Sequence, residues 1–425
     1  MKRILISLMT LLGLSVSAQN YYVGQFSGLD VGSTGIVNQA GQNIDQRAAT
    51  AAANVVSNLP LVELVHGTNH TYFALVESAV SNAVYGDTVN LSGIINAYTN
   101  IPIPGGVTIN FRGATVTNNV NLNVGGPLFL PTGIGATING PGSIYPAADH
   151  ATVYHACFGF ENSLGNASAT NWLINGMSLY GDSDVIFCQH TNYWSGYIKN
   201  CLISSLTNGA WDIAVAYNTN NIGYFECDND QFYLGPVVSS LGGSSLRGIG
   251  VGGVQGVFNN CTVIADGTTT VTHCFDTAIT PGCIISNVLN NVNMVVLGAN
   301  ASYGYYSQLS GNTTFNGGSC TINSSGVAIR DQLASGYNTN YINNFFVYGT
   351  GAPLQLGAVS VAYNIGGNIR ANQVLTTPYN FVDETGQSWL QVTNGVPSII
   401  PPNGFFISNT NGATFKATNN ALLQF

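Results

Sequence analysis

The phrase YIKNCLISS, residues 197–205, returns along the chain as FNNCTVIA (258–265), LNNVNMVV (289–296) and INNFFVYG (342–349). A chain that repeats a short apolar phrase around an asparagine must give every copy an equivalent place, and this restricts it to a stack of like units. Asn110, Asn139, Asn175, Asn200, Asn229, Asn260, Asn291, Asn316 (or the glycine after it) and Asn344 continue the series, about 29 residues apart on average. Each period holds short β-branched and aromatic runs broken by Gly, Asn and Asp, with no useful stretch of helix formers. The pattern predicts an all-β parallel β-helix of about nine or more coils, since three short strands and their turns use about 25 to 30 residues.

In such a stack each asparagine amide donates to the carbonyl of its neighbour. The expected result is an asparagine ladder that closes a turn, satisfies a buried amide and pins the register. Composition agrees with an uncharged polar surface over a large core. Of 425 residues only 6% are charged, against a usual figure of about 25%, while 45% are hydrophobic. A net charge of -9 with only nine Lys and Arg argues against nucleic acid or an anionic membrane as partner.

The first residues, MKRILISLMTLLGLSVSAQN, carry a basic start, a short apolar run and a small-residue cleavage pattern. They predict a signal peptide over 1–18, bacterial-type export and a secreted or cell-surface location. The apolar run is too short for a membrane span. Export invites disulfides among the eight cysteines. Cys201 and Cys261, however, stand at the same place in their copies, as small free residues in a stack would.

The entry phrase ALVESAVSNAVYGDTVNLSGIINAYTNIPIPGGVTINFRGATV, residues 74–116, has a helix, a GDTV strand and a GVTI first coil. With the coils up to about residue 350, it resembles the pectin-lyase-like family of right-handed parallel β-helices, and the resemblance implies that handedness. The expected organisation is a leader over 19–72 and a β-helix over 73–350. A helix at 73–85 would cap the first coil through Phe73, Val76, Val80 and Val84. Residues 351–425 would form the last coils and a C-terminal β cap or appendage.

Aligning coils by their asparagines places Asp184, Asp212 and Arg247 at equivalent points of three successive coils. They make either a salt-bridge ladder or an oxygen-rich cation site. The resemblance to pectate lyases implies the second: Asp184 and Asp212 holding calcium, with Arg247 as base. Glu226 and Asp230, in FECDNDQF, are a second candidate metal pair; Lys199 should pair with Asp228 across one rung. His155, His190 and His273 are not expected beside a carboxylate at acid-base spacing. The NTD, DD, GHG and RIK phrases of the fold's polygalacturonases are missing, which weakens a hydrolase reading.

Trp194, Trp211 and Tyr217 are expected to stack on sugar rings. The sequence thus points to an exported β-helix that engages a polysaccharide or cell-surface glycan along its flank, with a lyase-type elimination as the catalytic form. The alternatives are a non-catalytic adhesin or surface protein and a phage-type receptor-binding tailspike.

Overall fold

The computed structural model describes residues 61–118, 126–145, 155–161, 167–181, 184–205, 212–235, 246–266, 272–277, 283–298, 302–322, 326–331 and 338–349, with short strands between 352 and 398. The proposed signal peptide and most of the leader, Trp211 and the last 27 residues lie outside them. The side chain of Asp212 lies outside them too.

The chain winds as a parallel β-solenoid. A 25-stranded sheet bends round two faces, and a ten-stranded sheet forms the third, one strand from each turn. Strands Ser195–Lys199, Gly223–Asp228 and Val254–Asn259 stack in parallel on the first face. Asp212–Tyr217, Leu246–Gly252 and Thr272–Asp276 do so on the third. Alternation decides which side chains enter: in Gly223–Asp228, Gly223, Phe225 and Cys227 are buried while Tyr224, Glu226 and Asp228 point outward. The interior carries an aromatic column, Trp172, Trp194, Phe225, Phe258, Phe275, Tyr305, Phe315 and Phe345. Successive ring centroids are 5.0 to 6.5 Å apart.

The N-terminal end is closed by more than a helix. Strands Leu61–His66 and Asn69–Phe73 form a hairpin, and the first of them pairs antiparallel with Thr88–Ser92. That strand edge is therefore occupied. The helix runs only over Val76–Asn82 and buries Val76, Ala79 and Val80. The expected 73–85 span is thus too long: Phe73 ends a strand and Val84 is 52% exposed. At the other end Tyr379–Val382, Ser388–Thr393 and Val396–Ser398 pair antiparallel, a small β appendage.

The predicted ladder is two adjacent columns. Strand register sets Asn175 opposite Lys199, not Asn200, and continues through Asp228, Asn259, Asn290, Asn316 and Asn343. Here the amides bond coil to coil: Asn290 Nδ2 donates to Asn259 Oδ1 at 2.8 Å, Asn316 to Asn290 at 2.9 Å and Asn343 to Asn316 at 3.0 Å. One residue later, Asn200, Asn229, Asn260, Asn291 and Asn344 turn the corner with φ between 52° and 57°, and Gly317 does so at 69°; ladder bonds run here too, from Asn200 Nδ2 to Asn175 Oδ1 at 3.1 Å and from Asn291 Nδ2 to Asn260 Oδ1 at 3.0 Å. Asparagine tolerates this left-handed backbone better than other side chains do. The first column is buried at Asn90, part-buried at Asn110, Asn139, Asn259, Asn290 and Asn343, and exposed at Asn316, so the expectation of buried amides holds only at its start. Asn229→Gly should leave the denaturation midpoint nearly unchanged, whereas Asn229→Val should cost about 1–2 kcal/mol, read by urea unfolding.

The cysteines follow from the same corner. After the left-handed residue the chain turns inward at Met177, Cys201, Asp230, Cys261 and Val292. There a side chain accepts the N–H of the coil before: Met177 N–H donates to Cys201 Sγ at 3.5 Å, and Cys201 N–H to Asp230 Oδ1 at 2.7 Å. All eight cysteines are free and buried, as the stacking implied. Burial pushes Cys201, Cys261 and Cys274 up to about 12, so these thiols are not nucleophiles at neutral pH.

Candidate functional site

The predicted acidic flank is in register. Asp212 pairs directly with Arg247, and Ile186 with Ala214, which carries Asp184 to the same level one coil earlier. The side chains that are described do not form an open cluster. Asp184 is 4% exposed. Arg247 Nε lies 3.5 Å from Oδ2 of Asp276, which is buried one coil further on. That same oxygen is 2.7 Å from His273 Nδ1. The expectation that no histidine meets a carboxylate is therefore corrected: Thr272–Asp276 is a continuous strand with both residues buried, and the i,i+3 pair closes locally. At the entry, His66 meets Asp87 at 2.7 Å and His70 meets Glu63 at 2.8 Å.

His273 packs against Tyr303 and Tyr306, with centroids at 4.9 and 4.6 Å, and Arg330 lies 4.6 Å over the Tyr303 ring. Sequence reasoning missed Asp276 as the partner of Arg247. The signal was present as an acid three residues after His273 on the next coil.

The second acidic pair does not converge. Glu226 faces outward and accepts the Tyr224 hydroxyl, which burial and this carboxylate push well above the ordinary phenol range. Asp230 faces inward and is fully buried. The Lys199–Asp228 rung is present at 2.9 Å. Among the described residues no three His, Cys, Asp or Glu side chains come together as a metal centre.

Two of the expected sugar-stacking residues belong to the core. Trp194 is fully buried and its Nε1 donates to the Tyr217 carbonyl at 3.1 Å; Tyr217 is 2% exposed. Both lie in runs of consecutive buried residues, 194–196 and 214–217, which aromatic content alone does not reveal. Several of the aromatic and apolar groups that do reach solvent line up on the corner between the third and first faces; others, such as Ile94, Tyr98 and Tyr348, lie elsewhere. Tyr193 is 51% exposed, Ile222 47% and Ile284 52%, and Tyr85 and Ile134 continue the same corner toward the N-terminal end.

Backbone bonds tie that corner from coil to coil. Gly106 N–H donates to the Ile134 carbonyl, Tyr224 to Trp194, Gly223 to Gly253 and Gly253 to Ile284. Tyr193, Asn221, Ile222, Tyr224, Gln255 and Ile284 line a groove of about 400 Å³ there. Its floor is held by asparagines. Buried Asn218 accepts from Asn220 N–H at 2.9 Å and donates to the Asn192 carbonyl at 2.7 Å, and Asn221 Oδ1 accepts from Ile284 N–H at 2.6 Å. Gly253 is required at this corner: its φ is +68°, and a Cβ would meet the Asn218 oxygen at 1.7 Å.

These features define a parallel β-solenoid with a line of exposed apolar residues along one corner. No protein-family model matches the chain, and no curated protein matches it. A solved structure similar to it is that of PfbA, a surface adhesin of Streptococcus pneumoniae. The two are 11% identical with a TM-score of 0.39, over 73% of this chain and 90% of that one. No helix among the described residues is long and apolar enough to cross a membrane.

Proposed function

We propose that this is an exported, non-catalytic binding protein of the cell surface or its surroundings that holds a polysaccharide along the long corner of a pectin-lyase-like solenoid. The carrying observation is the line of exposed apolar side chains, Tyr193, Ile222 and Ile284, on a corner whose backbone is bonded from coil to coil. Exposed patches with fixed polar neighbours are where soluble proteins bind partners. The withdrawn chemistry supports the same reading. Arg247 is engaged by Asp276, Asp184 is buried, and Glu226 and Asp230 lie on opposite sides of the wall. A base or metal ligand must reach the reacting atoms, and Asp184 and Asp230 are buried while Arg247 is engaged by Asp276.

Incubating the mature protein with acidic and neutral polysaccharides, with and without calcium, should release no oligosaccharide detectable by mass spectrometry. Unsaturated products that disappear in Arg247→Ala would overturn the non-catalytic reading and install the lyase.

A further inference from the structure

Resting on that reading, we propose that the groove from Tyr193 to Ile284 is a subsite for an uncharged polysaccharide chain laid parallel to the solenoid axis. The direction comes from the fold. Tyr193, Ile222, Gly253 and Ile284 occupy the same corner on four successive coils, three steps of about 4.8 Å, so the apolar line is about 14 Å long and runs along the axis. A ligand that follows it must be extended and repetitive.

The charge of the ligand comes from the lining. None of the groove residues is charged, and the Glu226 carboxylate is bonded to the hydroxyl of the lining residue Tyr224. No Lys or Arg stands in the lining to neutralise a uronate, and the chain carries a net charge of -9. A polyanion would be repelled, whereas a neutral sugar presents an apolar ring face to Tyr193, Ile222 and Ile284 and hydroxyls to Gln255.

A peptide added as an extra strand is disfavoured by the backbone. The N–H groups that would receive it at Gly223, Gly253 and Ile285 already donate to Gly253, Ile284 and Ser310 carbonyls. The groove is also built before any ligand arrives, because Asn218 and Asn221 fix the turns and Gly253 permits them. Little ordering cost remains for binding.

The test is affinity electrophoresis of the mature protein through gels containing neutral polysaccharides (xyloglucan, glucomannan, dextran) or acidic ones (polygalacturonate, alginate). Tyr193→Ala and Ile222→Asp are run beside it, with Tyr348→Ala as an exposed control away from this corner. All four proteins are first matched by far-UV circular dichroism. Both groove substitutions are at exposed positions, and Tyr193→Ala adds no charge, so folding failure of one leaves the other to read. The expected result is retardation by a neutral polysaccharide, weakened roughly tenfold or more in the groove variants and unchanged in Tyr348→Ala. Retardation by acidic polymers alone, or retardation indifferent to the groove variants, overturns this subsite while leaving polysaccharide binding in place. No retardation by any polysaccharide overturns both.

Discussion

Replacing Asp230 by asparagine should flatten the pH dependence of stability between about pH 4 and pH 7 and raise the unfolding midpoint at pH 8. Asp230 is fully buried in the inward corner column between Cys201 and Cys261. Burial lifts its carboxyl from 3.8 to about 7, against the lowering effect of the Cys201 N–H bond. Below about pH 4 the group is protonated in both folded and unfolded chains. Between the two values the folded chain holds a proton that the unfolded chain has released, so raising the pH favours unfolding. Above about 7 both states are ionised and the cost is constant.

A slope of up to about 1.4 kcal/mol per pH unit over roughly three units gives a cost on the order of 4 kcal/mol at alkaline pH. Asparagine keeps the oxygen that accepts from Cys201 and carries no charge. The measurement is urea unfolding of both proteins from pH 4 to pH 8, compared as a difference so that other titrating groups cancel. Parallel pH profiles for the two proteins would show that Asp230 is ionised at no cost in the fold.

Trp194→Ala should destabilise the chain by about 3–5 kcal/mol, the usual cost of deleting a large buried ring. The ring stacks at 6.5 Å on Trp172 and lies at 6.2 Å from Phe225 and 5.6 Å from Phe160. The room left over is small: a Cβ on Gly196 would meet the Trp172 ring at 1.9 Å. Deletion also leaves the Tyr217 carbonyl without its indole donor, an added loss of about 1 kcal/mol. Urea unfolding followed by far-UV circular dichroism reads the effect, and the cost should fall on the coils around residue 194, since each coil contacts mainly its neighbours. A stable Trp194→Ala protein that has lost glycan binding would return the indole to the surface role expected from aromatic content.

The repeat was legible because stacking forces equivalent residues to recur: the Asn-Cys phrases, the rung between Lys199 and Asp228 and the level shared by Asp212 and Arg247 all follow from a count along the chain. The count failed by one residue where the turn shortened. Asn175 was aligned with Asn200 because both precede an apolar run, while the left-handed corner after Asn175 is made by Gly176. The predicted side-chain contact survives the offset in strand register, because Asn200 Nδ2 still donates to Asn175 Oδ1 at 3.1 Å.

The site was less legible, because at the turns burial is set by the packing around each residue and not by a strand's alternation. Trp194 and Tyr193 are neighbours of similar aromatic chemistry, yet one is fully buried and the other half-exposed. Composition counts both and assigns neither. Likewise the sequence offered Asp212 as the neighbour of Arg247, whereas the carboxylate that engages it, Asp276, lies 29 positions away and meets it only when the next coil is laid down.

Period, strand content and the low charge thus determined by themselves that this chain is a parallel β-solenoid, because only a stack of coils satisfies so many repeated small polar residues beside so much apolar surface. Tertiary structure alone decided that Asp184 and Asp230 are buried, that Arg247 is engaged by Asp276, and that Tyr193, Ile222 and Ile284 line up on one corner. Those outcomes depend on which side of each strand a residue faces and on what the adjacent coil brings to it, and neither is written in the local sequence.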